Sequence, residues 1–398
     1  MSRGVATLLV TCLWLAGPAP ARAVPPLPLG QLPCPSTNVH DRTLLVGASP
    51  ATRFPDLPGV RRYPGVPRLG LVPFVADPGV PLPGLARLLR GTAGVRWVRA
   101  AHVVRAQRVP NDPLFRAQYA LSLIGAPSAW NHATGRRTPV LVAVLDTGVD
   151  SQHPDLVGQV RDGADFVDGK ADATDQHFHG TAVAGLIAAA SDNGKGIAGL
   201  DWGATVLAER VLDANGVGND CAIAAGIIDA TDGGAKVLNL SLGGQDVACQ
   251  PIYQETLSYA HDHGALVVVA AGNDGAKGNP VDYPAGCAGA MAVGATDFRD
   301  ARAAFSEYGP QIAIVAPGVQ VLTTLRRRAG SYGYASLSGT SMSSPIVSGV
   351  AALLFSQHPG WTPDQVRARL VQTAKHLGSP GRNDQYGAGR VDAARALA

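Results

Sequence analysis

The sequence is poor in aromatic residues and in cysteine, and it carries almost no excess charge of either sign. Phe, Trp and Tyr make up 6% of the chain, and five of its 398 residues are cysteine. Lys and Arg number 33 against 30 Asp and Glu, which leaves a formal net charge of +3. This balance gives no electrostatic reason to expect a nucleic-acid partner or an acidic surface as a target.

Long apolar runs are missing as well. Beyond the first residues, no segment approaches the roughly 18 consecutive apolar residues that a membrane-spanning helix requires, so we expect no membrane anchor in the mature chain. Residues 1–23 combine one basic residue before an apolar run, the run itself from Ala6 to Ala16, and a small-x-small ending at Ala21 and Ala23. This pattern predicts a cleaved secretory signal, and hence an extracellular or periplasmic protein.

The rest of the chain divides into three parts. Residues 24–40 are rich in proline without a periodic pattern, which is typical of a linker. Residues 41–108 contain short strand-like runs around one helix near Leu82–Leu89, which predicts a small α+β module. Residues 109–398 alternate apolar strands with helices, which predicts a three-layer, doubly wound, mostly parallel α/β sheet.

The secondary-structure elements of residues 109–398 are predicted from continuous apolar runs and from the periodicity of apolar residues. The strands are predicted at Val140–Leu145, Lys236–Leu242 and Ala265–Ala270. The helices are predicted at Thr181–Ala190, Cys221–Asp229, Ile252–His263 and Ser344–Ser356. In such a sheet, reactive side chains collect where the strands end.

Two candidate residues follow the first of these strands. Asp146 ends the run and is followed by Thr-Gly-Val-Asp, although an Asp there can also simply cap a turn. His179 opens His-Gly-Thr-Ala-Val-Ala-Gly at a predicted helix start. His177 is an alternative, but it lacks the Gly-Thr that follows His179, and neither has the neighbours of a metal site.

A serine and an asparagine complete the set. Ser341 lies in Ser-Gly-Thr-Ser-Met-Ser-Ser-Pro directly before an apolar helix, where unpaired backbone N–H groups favour negative charge, and Pro345 fits the first helical turn. Ser338, Ser343 and Ser344 compete for the plainer role of helix cap. Asn273 follows another strand and offers an amide donor for an oxyanion.

Together, Asp146, His179, Asn273 and Ser341, in this order, resemble the subtilisin-like serine protease family (subtilases, peptidase S8), and the thermitase-like secreted members in particular. The resemblance covers about residues 109–398. It implies a serine endopeptidase in which Ser341 is the nucleophile, His179 the general base and then acid, Asp146 its partner, and Asn273 part of the oxyanion hole. One departure is Ala182, where many relatives have a second His.

The resemblance also implies substrate-binding segments and a structural Ca²⁺ site. Two segments would pair with an extended polypeptide substrate: Gly216, Val217 and Gly218, and Ser241, Leu242, Gly243 and Gly244. The calcium ligands would be the side chains of Asp112, Asp155 and Asn193 and the carbonyls of Ala190, Lys195 and Ile197. Only two of these are carboxylates, and hard oxygen donors suit Ca²⁺.

By the same resemblance, residues 41–108 are a ferredoxin-like propeptide that inhibits the enzyme within its own chain, so that the protein is a self-processing zymogen and a monomer. The first helix of that fold is nearly absent, because Ser49–Gly59 contains three prolines. Asp282 aligns with the base of the pocket for the residue before the cleaved bond, where Gly or Asn is common. A carboxylate there favours Arg or Lys, and Arg105 and Arg108 stand at the propeptide junction.

The cysteines fit an oxidising compartment. Cys12 leaves with the signal, and we prefer Cys249 with Cys287 as the disulfide pair. Cys34 would leave with the propeptide, which would orphan Cys221.

Two rival functions belong to other classes. One is a catalytically dispensable assembly or binding factor with the same fold, and the other is an esterase or peptide ligase with the same triad. No Gly-x-Ser-x-Gly elbow surrounds Ser341, which counts against a lipase-type enzyme.

Overall fold

The computed structural model describes residues 34–35, 41–102, 108–170, 172–326 and 332–398. The chain forms two compact units, Met1–Arg105 and Ala106–Ala398. The predicted secretory signal, most of the predicted linker, and Arg105 lie outside the described residues. No helix within the described ranges is both long enough and apolar enough to cross a membrane.

The N-terminal unit is a four-stranded antiparallel sheet with one helix. Its elements are β1 (Thr43–Ala48), β2 (Val60–Arg62), β3 (Leu71–Ala76), α1 (Leu82–Arg90) and β4 (Val95–Ala100). The strand order is β2-β3-β1-β4, and a small core packs the helix onto the sheet through residues such as Val46, Phe74 and Leu89. Residues 49–59 form no helix, in agreement with the three prolines there.

The larger unit is built on a seven-stranded sheet in which every neighbouring pair is parallel, in the order β13-β12-β10-β8-β5-β7-β6. These strands are β5 (Leu141–Asp146), β6 (Val160–Asp165), β7 (Thr205–Arg210), β8 (Val237–Leu240), β10 (Leu266–Ala270), β12 (Met291–Thr296) and β13 (Ile312–Pro317). Two short antiparallel pairs accompany the sheet: β9 (Gly244–Gln245) with β11 (Asp282–Tyr283), and β14 (Val321–Arg326) with β15 (Tyr332–Leu337).

The helices of this unit cover the sheet on both faces. They are α2 (Tyr119–Leu123), α3 (Ala126–Ala129), α4 (His179–Ala188), α5 (Asp220–Asp232), α6 (Pro251–Asp262), α7 (Thr340–Gln357), α8 (Pro363–Thr373) and α9 (Ala393–Leu397). On β5, Val142 and Val144 pack into the core that contains α4 and α7, whereas Ala143 and Leu145 pack into the core that contains α5 and α6. The predicted three-layer, doubly wound α/β fold is therefore confirmed.

Strand β5 occupies a central position, with β8 on one side and β7 on the other. The chain moves from β5 to β6 and β7 on one side and then to β8, β10, β12 and β13 on the other. The winding therefore reverses at β5, and a cleft is expected beyond its carboxyl end. Asp146 is the last residue of this strand.

A buried carboxylate in the loop between α4 and β7 makes stability depend on pH. Asp201 is fully buried, and its Oδ1 accepts a hydrogen bond from the backbone of Gly203 at 2.9 Å while its Oδ2 has no partner among the described residues. Burial raises the pKa of Asp201 to about 7. The folded protein thus keeps a proton there that the unfolded chain has already lost.

We predict that the free energy of unfolding falls as pH rises from the pKa of Asp201 in the unfolded chain to its pKa in the folded protein. Between about pH 5 and about pH 8 the loss is on the order of 2 kcal/mol. Asp201→Asn keeps an acceptor for Gly203 and cannot ionise, so it is more stable than the parent at the higher pH. Urea unfolding followed by circular dichroism, in a Ser341→Ala background, measures this. The control is Asp162→Asn, which removes an exposed carboxylate on β6. If the free energy of unfolding has the same pH dependence in the parent and in Asp201→Asn, Asp201 is not the group responsible.

Candidate active site

Asp146 and His179 are joined directly at the end of β5. The Asp146 side chain is fully buried, and its Oδ1 accepts a hydrogen bond from the backbone of Thr147 at 2.7 Å. His179, the first residue of α4, places Nδ1 at 2.8 Å and 2.9 Å from the two carboxylate oxygens. An ionised carboxylate can only accept, so the proton lies on Nδ1 and leaves Nε2 of the neutral ring as an acceptor.

The surroundings raise the pKa of His179 above its ordinary value. Burial acts the other way and lowers this pKa, but it is outweighed by the charge of Asp146, by the hydrogen bond to it, and by the charge of Asp175. The site is therefore arranged to stabilise an imidazolium ion.

Ser341 lies on α7, but not where the sequence pattern put it. The helix begins at Thr340, so Ser341 is already in its first turn, and Pro345 lies inside the helix. The prediction that Pro345 occupies the first turn is wrong. A proline inside a helix removes the N–H that would bond to the carbonyl four residues earlier, which here belongs to Ser341.

That freed carbonyl has another donor. Ser241 Oγ donates to the Ser341 carbonyl at 3.0 Å, and Ser341 Oγ donates to the Ser241 carbonyl at 3.2 Å. The two serines thus form a reciprocal pair that ties the start of α7 to the segment after β8. In the described part of the chain, Ser341 Oγ makes this bond and none to His179. In unliganded sites, catalytic hydrogen bonds often form only when substrate is bound.

Asn273 is positioned by the residue before Ser341. Its Oδ1 accepts hydrogen bonds from the backbone N of Thr340 at 2.8 Å and from Thr340 Oγ1 at 3.1 Å. These bonds identify Oδ1 as the bound end and leave Nδ2 as the available donor. Nδ2 and the Ser341 backbone N lie 3.8 Å and 3.7 Å from the point where a Cβ on Gly339 would stand, so the two donors border the same space.

A cleft of about 540 Å³ adjoins His179, and both predicted substrate segments line it. The predicted residues along it are Gly216, Val217, Gly218, Ser241, Leu242, Gly243 and Gly244. His177, which was weighed as an alternative to His179, also lines the cleft. The lining residues that were not predicted are Thr147, Leu212, Asn215, Asp220, Ile223, Tyr253 and Tyr283. Thr147 directly follows the predicted site residue Asp146, and Asp220 lies two residues after the predicted segment that ends at Gly218. This proximity in sequence was the signal from which both residues could have been predicted. Tyr253 Oη donates to Asp220 at 2.6 Å, a contact between two helices that no local pattern shows.

Asp282 does not line this cleft, but it borders one of its walls. Its Oδ2 lies 3.3 Å from where a Cβ on Gly243 would stand. Its backbone N donates to Glu307 Oε2 at 3.2 Å. Burial, together with the charge of Asp274, raises the pKa of Asp282. Tyr283, the next residue, lies in the cleft.

The carboxylates predicted as metal ligands are both buried. Asp112 Oδ2 accepts from the backbone of Asp192 at 2.7 Å, and Asp155 Oδ2 accepts from the backbone of Ile197 at 2.8 Å. Burial chiefly raises the pKa of Asp112, and the nearby charge of Asp155 adds to this. Asp155 Oδ1 is buried and has no hydrogen-bond partner among the described residues. A cation would satisfy such an oxygen.

The remaining predicted ligands lie on the loop next to Asp155. The backbone N of Ala190 donates to the Asp155 carbonyl at 2.7 Å, and Asn193 Oδ1 accepts from the backbone of Lys195 at 2.7 Å. No cluster of three or more His, Cys, Asp or Glu side chains suited to a metal occurs in the described ranges. A cation at this loop would therefore take most of its ligands from amide and backbone oxygens.

A disulfide joins Cys249 to Cys287, the pair preferred from the sequence, with 5.2 Å between the Cα atoms. Cys34 and Cys221 are free and exposed.

Comparison with known proteins defines the class. The model of the subtilase family (Peptidase_S8) matches residues 137–389. Thermitase from Thermoactinomyces vulgaris is 43% identical over 289 residues, which are 72% of this chain and 99% of that protein. Subtilisin Savinase from Lederbergia lenta is 45% identical over 276 residues, which are 69% of this chain and 96% of that protein.

Two further relatives extend the comparison. A thermophilic serine proteinase from Bacillus sp. (strain AK1) is 38% identical over 352 residues, 88% of this chain and 82% of that protein. Among solved structures, a protease from Pseudoalteromonas arctica PAMC 21717 matches with a TM-score of 0.65 and 34% identity, covering 72% of this chain and 98% of that one.

The fold and these relatives define a hydrolase of the serine-type endopeptidase class. Within that class, the chain belongs to the subtilase family. The resemblance inferred from the sequence is confirmed.

Proposed function

We propose that this chain is a secreted serine endopeptidase, made as a self-processing zymogen, in which Asp146, His179 and Ser341 form the catalytic triad. The observation that carries the proposal is the contact of His179 Nδ1 with both oxygens of buried Asp146, which leaves Nε2 free to accept a proton. The start of α7, with Ser341, is held by Ser241 and Asn273 beside the same cleft.

The geometry supports an acyl-enzyme mechanism. His179 Nε2 takes the proton of Ser341 Oγ once that hydroxyl turns away from the Ser241 carbonyl, and Oγ attacks the peptide carbonyl. The negative charge on the carbonyl oxygen is stabilised by Asn273 Nδ2 and the Ser341 backbone N–H. His179 then protonates the leaving amine, and water attacks the acyl-enzyme by the same route. Asp146 stays ionised throughout and stabilises the imidazolium.

Substrate binding follows from the shape of the cleft. Segments 216–218 and 241–243 line it and present backbone groups to an extended polypeptide. The small α+β unit supports the role of propeptide, because its strand order β2-β3-β1-β4 is that of a ferredoxin-like sheet that lacks its first helix. We take this unit to inhibit and assist folding of the peptidase in the same chain, and the mature enzyme to be a monomer outside the cytoplasm.

Loss of the nucleophile is the first test. We expect residues 24–398 to release the N-terminal unit when produced with Ser341 intact, and Ser341→Ala to persist as an uncut chain with a loss in kcat on the order of 10⁶. N-terminal sequencing and a peptide-hydrolysis assay measure both. Ser338→Ala, in the same motif but exposed, is the matched control. Equal cutting of the Ser341→Ala chain would point to another protease and against self-processing.

A preference for basic residues before the cleaved bond is proposed from Asp282. Because the pKa of Asp282 is raised, its charge develops only as pH rises, and we predict that the ratio of kcat/KM for Arg over Leu substrates increases with pH. Asp282→Ser should remove this pH dependence and lower the ratio about fivefold, since one solvent-accessible charge pair contributes on the order of 1 kcal/mol. Matched peptides that differ only at that residue supply the measurement. Cleavage after large apolar residues with no gain from Arg or Lys would refute the preference.

We also propose a structural Ca²⁺ ion, held by Asp112, Asp155, Asn193 and the carbonyls of Ala190, Lys195 and Ile197. The unpaired, buried Oδ1 of Asp155 supports the fit. When bound, the ion would neutralise two neighbouring carboxylates and fix the loop between α4 and β7.

Calcium is therefore expected to raise the melting temperature of the protein. At a free calcium concentration 100 times the dissociation constant, the free energy of unfolding should increase by about 3 kcal/mol. Asp155→Asn should abolish most of the gain, because Asn lacks the charge and one ligand oxygen. Calorimetry with calcium and with a chelator, on the Ser341→Ala chain, measures it. The control Asp162→Asn removes an exposed carboxylate of the same unit and should keep the full calcium response. An identical response in Asp155→Asn would exclude this site.

A further inference from the structure

A second buried carboxylate, Asp175, lies near the proposed triad and has no part in the mechanism above. It is fully buried in the loop before α4. Its Oδ1 accepts from Thr147 Oγ1 at 2.8 Å and from the backbone N of His177 at 2.8 Å. Its Oδ2 accepts from Thr181 Oγ1 at 2.6 Å and from the Thr181 backbone N at 3.1 Å. Four donors therefore converge on one side chain.

These donors belong to the two chain segments that carry Asp146 and His179. Thr147 directly follows Asp146, and its backbone N donates to the Asp146 carboxylate. His177 and Thr181 stand two residues before and two residues after His179. The backbone N of Gly180, next to His179, donates in turn to Thr147 Oγ1 at 3.1 Å. Asp175 thus connects the end of β5 to the start of α4 on both sides of the imidazole.

The charge of Asp175 acts on the same ring. Burial raises the pKa of Asp175, and its hydrogen bonds to Thr181, His177 and Thr147 act against that rise. Burial lowers the pKa of His179, and the charges of Asp146 and Asp175 raise it.

Other charged and titratable groups lie near this network, among them Arg210 on β7, which donates to the side chain of the residue after Asp175 at 3.2 Å. His177 lies beside the network on the loop, and Arg326 on β14 donates to the Asp175 carbonyl and pairs with Asp150 at 3.1 Å. The Asp175 carboxylate itself makes no ion pair among the described residues, and its partners are hydroxyl and amide groups. Its charge therefore remains available to the imidazole.

We propose that Asp175 is a positioning residue for the triad: it fixes His179 against Asp146 through Thr147 and Thr181, and its charge helps to stabilise the imidazolium. The proposal rests on the triad function given above. A displacement of about 1 Å between reacting groups can cost on the order of 100-fold in rate. The network therefore acts on kcat, whereas the segments that bind the polypeptide remain as they are.

The test compares Asp175→Asn with Asp172→Asn, an exposed aspartate three residues earlier on the same loop. We expect Asp175→Asn to lower kcat about 10- to 100-fold with little change in KM. The acid limb of kcat/KM should move to lower pH, because the loss of a negative charge lowers the pKa of His179. Asp172→Asn should match the parent in all three quantities. Rates are taken per active site, counted by titration with an acylating inhibitor.

Substitutions of Thr147 test the positioning role of Asp175 separately from the effect of its charge. Thr147→Val keeps the shape and removes the bridging hydroxyl, so it should lower kcat without moving the acid limb, and Thr147→Ser should restore the rate. Should Asp175→Asn fail to fold, the Thr147 pair decides, and a parent-like kcat in Thr147→Val overturns the proposal. Asp175→Asn with parent-like kcat and pH profile overturns it as well. Ser341→Ala, assayed alongside, separates these results from a failure of the proposed function, since activity that survives in Ser341→Ala refutes the triad instead.

Discussion

The hydrogen bond from His179 Nδ1 to the buried carboxylate of Asp146 is the interaction on which the rest of the site depends. It fixes the tautomer of the ring and leaves Nε2 directed away from the carboxylate as an acceptor. This hydrogen bond requires that the charged carboxylate of Asp146 be shielded from water. The central position of β5 provides that shielding, because both faces of the strand pack into apolar cores. The backbone of Thr147 and the ring of His179 provide the donors that a buried carboxylate needs.

A second constraint holds the serine. Pro345 interrupts the hydrogen bonding of α7 four residues after Ser341, and the hydroxyl of Ser241 donates to the carbonyl left unpaired. The hydrogen bonds between Ser241 and Ser341 also bring the segment after β8, which forms one wall of the cleft, against the start of α7. Asn273, after β10, binds Thr340 in the first turn of α7. The loops at the carboxyl ends of the neighbouring strands β8 and β10 are therefore both fixed to the start of α7.

Local patterns predicted much of this arrangement. Continuous apolar runs located β5, β8 and β10, because strands buried on both faces need no polar alternation. The Pro-rich residues 49–59 predicted a missing helix, and none is present. The start of α7 was predicted four residues too late, at Ser344, because Thr-Ser-Met-Ser-Ser carries no helical period and a proline suggests a first turn. Asp175 gave no signal, since an Asp in a polar loop resembles any turn residue.

The sequence by itself determined the alternation of strands and helices, the family, and the four side chains around which the proposed chemistry is built, because these depend on periodicity and on short motifs. Tertiary structure alone decided which partners those side chains have. Thr147 and Asp175 are 28 residues apart, and Ser241 and Ser341 are 100 residues apart. Contacts over such distances leave no local pattern, since they arise only when the parallel strands bring their carboxyl ends to one edge of the sheet.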